Sequence, residues 1–143
     1  MQVEESFLGV ARSTGRPSVV VLDRGLLDIP AYLPRENWLE MLGQMGGYTE
    51  AEFAARYDLV IHLVSTAHGA EEIYEKEFNN NPARTETAQE ARELDDKVFN
   101  CWSIHPHHLR LDNSGSFESK IASCGEGVLA MIDRGGSGSG HAD

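Results

Sequence analysis

Asp23 and Arg24 stand directly after the run Ser18-Val-Val-Val-Leu22 and directly before Gly25. Apolar residues without alternation suit a strand buried on both faces, so an acid and a guanidinium at its end emerge where the strand leaves the core. In open α/β sheets that edge is where ligands bind. The competing reading is a charged pair that only solvates a strand end. Arg84 and Arg92 lie eight residues apart in an acid-rich stretch, so on one helix they would occupy adjoining faces. Glu90 and Glu93 flank Arg92, and an exposed charged face accounts for it equally well. His105, His107 and His108, with Cys101 one helical turn earlier, have zinc-ligand chemistry. Pro106 breaks the helix between them and no second cysteine follows at close spacing, so the stretch reads as a turn entering a strand. Glu71 and Glu72 read as first-turn residues favoured by the helix dipole, and Asp28 as a turn cap.

Positioning these groups requires alternating strands and helices. Val3, Phe7, Leu8, Val10 and Ala11 share one face of a surface helix, stopped at Gly15 and Pro17 before the first strand. Leu26 to Tyr32 forms a short helical turn closed by Pro30, and Pro34 takes the first position of a helix carrying Trp38, Leu39 and Leu42. Gly43, Gly46 and Gly47 end that helix. Thr49 and Glu52 form a capping box for a helix through Arg56, and Tyr57 to Val64 is the second strand. Gly69 starts a helix with Ile73, Tyr74 and Phe78 on one side, interrupted by the polar turn Asn79-Asn-Asn-Pro-Ala83. Thr87 and Glu90 launch a long helix in which Ala91, Leu94, Val98, Cys101 and Trp102 keep the helical period. Tyr74, Phe78 and Trp102 read as core residues rather than stacking platforms. Leu109 to Asp112 is the third strand and Phe117 to Ile132 the last helix. Residues 135–143 have linker composition, which leaves one domain at 1–134.

This alternation is that of an α/β layered domain with a parallel sheet. Three strands make a narrow sheet whose apolar runs ask for more neighbours than the chain supplies. A formal net charge of −11 in 143 residues repels phosphate backbones and anionic headgroups, which argues against extended nucleic-acid or membrane-surface binding. Two cysteines at distant spacing and no apolar leader or spanning run describe a chain with reduced thiols, expected in the cytoplasm.

Several spaced stretches together carry a resemblance. They are Val20-Val-Leu-Asp-Arg-Gly-Leu-Leu-Asp-Ile-Pro-Ala-Tyr32, Tyr57-Asp-Leu-Val-Ile-His-Leu63, Gly69-Ala-Glu71, Arg84-Thr-Glu-Thr87, Ala91-Arg-Glu-Leu-Asp95, Trp102, His105-Pro106, Asp112-Asn113 and Phe117-Glu-Ser-Lys-Ile121. Over about Val19 to Ile132 the chain resembles the P-loop ATPase domain family. Within it, the similarity is to the branch that groups nicotinamide-ribonucleotide-kinase-like domains with the TRP-channel translocation-defect protein of flies. The resemblance implies a three-layer nucleotide-kinase-type fold that binds ATP or GTP with Mg²⁺. It implies that Asp23 organises Mg²⁺ or accepts a proton, that Arg24 holds an anionic substrate, and that Arg84 and Arg92 reach the transferred phosphoryl group from a lid. It places Asn113 beside a base pocket.

The chain departs from that family in one respect. A P-loop is G-x-x-x-x-G-K-[ST], and Lys76, Lys97 and Lys120 all lie outside such a context. The resemblance therefore implies a partial domain whose first strand and P-loop are absent, supplied by a missing N-terminal segment or a partner chain. The expected function is a nucleotide-binding, kinase-like domain. In complete form it would phosphorylate a nucleoside-like or small-metabolite acceptor, and as this chain stands it would be inactive. The alternative is a non-catalytic regulatory or trafficking module of nucleotide-binding ancestry.

Overall fold

A computed structural model describes residues 2–80 and 86–136. The first helix, α1 (Gln2–Ser13), ends at Gly15, whose φ of +62° takes the left-handed conformation that glycine accepts without strain. Val3, Phe7 and Val10 stay exposed on it, and no α1 residue is buried. A 3-10 helix covers Leu26–Tyr32 and carries Pro30 inside it, one turn earlier than a closing position. The next helix, α2 (Arg35–Gln44), has Pro34 as its N-cap rather than its first helical residue. Gly43 lies within α2; the turn that ends it uses Gly46 and Gly47, both at positive φ, with the Gly47 N–H returning to the Leu42 carbonyl at 2.9 Å.

Both capping boxes form. Thr49 opens α3 (Glu50–Ala54) and Thr87 opens α5 (Ala88–Cys101), each accepting from the N–H of a glutamate three residues on, while that glutamate accepts from the threonine N–H at 2.8 Å. Thr49→Ala and Thr87→Ala should each cost about 1 kcal/mol in urea unfolding, whereas threonine-to-serine changes at either site should cost a few tenths. Equal losses for alanine and serine would remove the caps from the account of these helix starts.

Between α3 and α5 run β1 (Val60–Leu63) and α4 (Glu71–Asn80); after α5 come β2 (His108–Leu111) and α6 (Phe117–Gly136). Strands β1 and β2 pair in parallel with Val60 opposite His108 and Leu63 opposite Leu111, joined by a helical crossover as parallel pairing requires. The result is a mixed α/β domain with a small parallel sheet. The expected turn at 79–83 is not a break as far as Asn80, since α4 runs through it. Residues 81–83 and Arg84 lie outside the described residues.

The stretch Ser18–Leu22 is not the buried first strand its composition suggests. It forms no ladder, and Val19 and Val21 are 53% and 81% exposed, so the sheet has two strands where three were expected. An apolar run becomes a strand only when a neighbour pairs with its N–H and C=O groups, and Ser18–Leu22 joins neither outer edge of the β1–β2 pair. The core lies instead between the 3-10 segment and helices α2, α3 and α5, where Leu27, Trp38, Leu42, Phe53, Ala54, Val98 and Trp102 pack together. Tyr74 and Trp102 are buried, as expected of core residues, and the Phe78 side chain lies outside the described residues. Among the described residues no helix is long and apolar enough to cross a membrane.

Candidate functional site

Parallel strands end together, so the loops that leave β1 and β2 meet at one edge. The Val64 N–H still reaches the Leu111 carbonyl at 2.9 Å, and beyond it the loop Ser65–Ala70 turns toward α4. Asn113, just past β2, ties that loop down, donating from its side-chain amide to the carbonyls of Ser65 at 2.7 Å and His68 at 2.8 Å. Lys120, in the first turns of α6, donates to the Val64 carbonyl at 2.8 Å and to Asn113 Oδ1 at 2.7 Å. Burial holds the Lys120 ammonium below its ordinary pKa, against the pull of Asp95 and Asp112. From the other side Arg92, in α5, donates to the Ala67 carbonyl at 3.0 Å, with Glu71 3.9 Å away. Arg92 and Asn113 therefore converge on one loop. A hollow of about 200 Å³ opens beside Lys120, lined also by Asp112, Ser114, Gly115 and Ser119.

Behind the same loop sits a cluster of acids and imidazoles. Asp95 Oδ1 accepts the Ser65 N–H at 3.0 Å, while Oδ2 lies 3.3 Å from His62 Nε2 and 3.7 Å from His68 Nε2. His68 Nε2 is also 3.6 Å from Asp96 Oδ1. Burial pushes the Asp95 carboxyl up, but the His62 imidazole, the Ser65 N–H and the charge of His68 outweigh it and hold the group below its usual range. His62 is wedged between the rings of Phe99 at 5.3 Å and His108 at 6.0 Å. Burial, with His62 and His105 beside it, holds His108 below the ordinary imidazole range.

Asp23 and Arg24 lie elsewhere. Both are exposed, and Arg24 has a φ of +70°, the left-handed conformation, in which its Nη1 is 3.7 Å from Asp28 Oδ2. Asp28 is buried against the far end of α5, where Trp102 Nε1 donates to its Oδ1 at 2.5 Å. Ten residues of helix separate Arg92 from Trp102, roughly 15 Å along the axis. The Leu26 N–H next to this pair donates to the hydroxyl of Tyr57, ahead of β1, so the charged pair is held toward the amino end of the sheet.

The histidines that follow Cys101 serve the turn. His105 Nδ1 accepts the His107 N–H at 3.0 Å, which leaves Nε2 as the protonated nitrogen facing the Tyr57 carbonyl at 2.8 Å. Cys101 is a free thiol whose pKa burial raises. Lys120, His62 and Asp95 belong to motif stretches but have no linear spacing that joins them, and His68 and Asp96 lie outside those stretches. Only the crossover between β1 and β2 brings the five to one edge.

A family model described as an AAA domain matches residues 1–120. No curated protein and no solved structure matches the chain.

Proposed function

This chain belongs to the AAA domain family of P-loop nucleotide-binding domains, and on that premise we propose that it engages the phosphates of ATP or GTP, with Mg²⁺, at the carboxyl edge of β1 and β2. The carrying observation is the convergence of Lys120, Asn113 and Arg92 on the Val64–His68 loop, at the edge where open α/β sheets take their ligands. Lys120 is partly desolvated there, which strengthens its attraction for an anion.

The hollow beside Lys120 has room for a phosphate but falls short of the 300 Å³ or more typical of small-molecule pockets. Affinity is correspondingly weak. Among the described residues Asp23 is an exposed carboxylate without an ion pair, which suits a hard cation that keeps several of its waters. Mg²⁺ held there would be a separate ion from the one that accompanies phosphates at Lys120, since Asp23 lies toward the opposite end of the sheet. Arg24 next to it would hold an anionic group.

Phosphoryl transfer to a nucleoside-like or small-metabolite acceptor needs the acid and the phosphate grip within a few ångströms of the transferred group. Asp23 and Lys120 are separated by the length of α5, and none of the three lysines stands in a G-x-x-x-x-G-K-[ST] context, so this chain binds without transferring. The exposed side chains of Val19, Val21 and Leu22, on a stretch that joins no sheet, favour a second reading, an interaction module that offers unpaired backbone and apolar side chains to a partner strand.

Calorimetric titration with MgATP and MgGTP separates the two. Saturable binding weaker than about 0.1 mM, or roughly −5.5 kcal/mol, is expected, weakened severalfold by Arg92→Gln and by Lys120→Ala. No saturation by about 10 mM, or binding indifferent to both changes, would overturn the nucleotide reading and leave the interaction module.

A further inference from the structure

We propose that His68, Asp95 and Asp96 form a binding site for a divalent transition-metal ion of the zinc type, held independently of any nucleotide. One atom from each residue, His68 Nε2 and one carboxylate oxygen apiece, lies within 4.8 Å of the other two. His68 Nε2 is 3.7 Å from Asp95 Oδ2 and 3.6 Å from Asp96 Oδ1. Around a tetrahedral ion with bonds of about 2.0–2.1 Å, neighbouring ligand atoms stand roughly 3.3–3.4 Å apart, so the two His68–carboxylate distances need to close by only a few tenths of an ångström.

A second observation points to an electropositive occupant. Asp95 Oδ2, His68 Nε2 and His62 Nε2 are all shielded from water, and none makes a hydrogen bond. The Asp95 side chain is only 10% exposed and that of His62 only 7%. Buried polar atoms in that state are costly, and three of them facing one another need either protons or a cation between them.

The nearby cations are already committed: Arg92 and Lys120 donate to the carbonyls of Ala67 and Val64. Asp95 Oδ1 is fixed by the Ser65 N–H, which orients Oδ2 toward the imidazoles in the manner of an outer-shell partner. Asp96, 61% exposed, gives an entry path, and three protein donors leave a fourth position open. An imidazole among the donors selects zinc, cobalt or nickel over magnesium and calcium, which take oxygen.

Titrating the whole chain with Co²⁺ in the absence of nucleotide tests this, read by the visible absorption of the bound ion. One equivalent should bind with a Kd near or below about 10 µM, and Zn²⁺ should displace it. His68→Ala and Asp96→Asn should each weaken binding tenfold or more while leaving the metal-free melting curve in place, since both side chains are partly or largely exposed. His107→Ala, in the neighbouring histidine turn, should change nothing. Cobalt binding that survives both site changes, that disappears with His107→Ala, or that millimolar Mg²⁺ displaces overturns the site. Failure of Co²⁺ to bind tighter than about 1 mM overturns it as well, whatever the nucleotide titrations show.

Discussion

Trp102→Ala should destabilise the chain by about 3–5 kcal/mol, enough to lower its melting temperature by roughly 10–15 °C. Trp102 is 3% exposed and closes the end of the core that Leu27, Phe53 and Val98 fill. Its ring stands edge-on to Tyr57 at 5.2 Å, and its Nε1 supplies the buried Asp28 with a donor at 2.5 Å. Alanine leaves a cavity and also removes the donor from a carboxylate that is only 8% exposed, so two penalties add. The backbone of Gly25 rests on the same ring: a methyl group there would lie 2.5 Å from Cζ2 of Trp102.

Urea unfolding followed by the fluorescence of Trp38, the other tryptophan, measures the loss. Trp102→Phe keeps much of the volume and should cost less than alanine yet more than its lost area alone, because Asp28 still loses its donor. Against a total stability of about 5–15 kcal/mol, a loss under 1 kcal/mol for Trp102→Ala would show that the 3-10 segment does not depend on this contact.

What could be read from the sequence was what short range decides. The two threonine–glutamate boxes need only four residues each, and both start helices where their spacing says. Val60–Leu63 is a strand because its apolar run is followed, after a helical crossover, by the alternating stretch His108–Leu111, which pairs with it. Ser18–Leu22 is more uniformly apolar than either strand but finds no partner, and composition does not record whether a partner exists. The site divides the same way. Arg92 and Asn113 stand out as a basic residue on an acidic helix and as an amide just past a strand, and both reach the Ser65–His68 loop. The His62, His68 and Asp95 group is made by β1, its loop and α5 together, so no window of sequence contains it. Lys120 lacks a P-loop context, so nothing in its sequence setting marks it, although its place on α6 brings it to the Val64 carbonyl.

Tyr57 should make the stability of this chain fall in alkali, and Tyr57→Phe should remove that dependence. The Tyr57 hydroxyl donates to Glu4 Oε1 at 2.8 Å and accepts the Leu26 N–H at 3.0 Å, so one oxygen fastens both α1 and the 3-10 segment to the start of β1. Burial, reinforced by the Glu4 carboxylate, outweighs the Leu26 N–H and Arg56 and raises the phenol to about 12. A folded-state pKa above the unfolded value of about 10 means that the folded chain holds this proton more tightly. The stabilisation is therefore complete below about pH 10 and is lost as pH rises toward 12. Two pKa units correspond to at most about 3 kcal/mol, less what solvent screening removes. At neutral pH, Tyr57→Phe should cost about 1–3 kcal/mol by leaving the Leu26 N–H without its acceptor and loosening α1. Helix α1 buries no residue, and besides Tyr57 its described tethers include the ion pairs of Glu4 and Glu5 with Arg56 at 3.0 and 2.8 Å. Hydrogen exchange should accordingly quicken in α1 before it does in α5. Unfolding free energies of parent and variant, compared at pH 8 and about pH 11, isolate this phenol from the other tyrosines and the lysines, because those titrate in both proteins. If the gap between the two proteins is the same at both pH values, Tyr57 does not carry the alkaline loss.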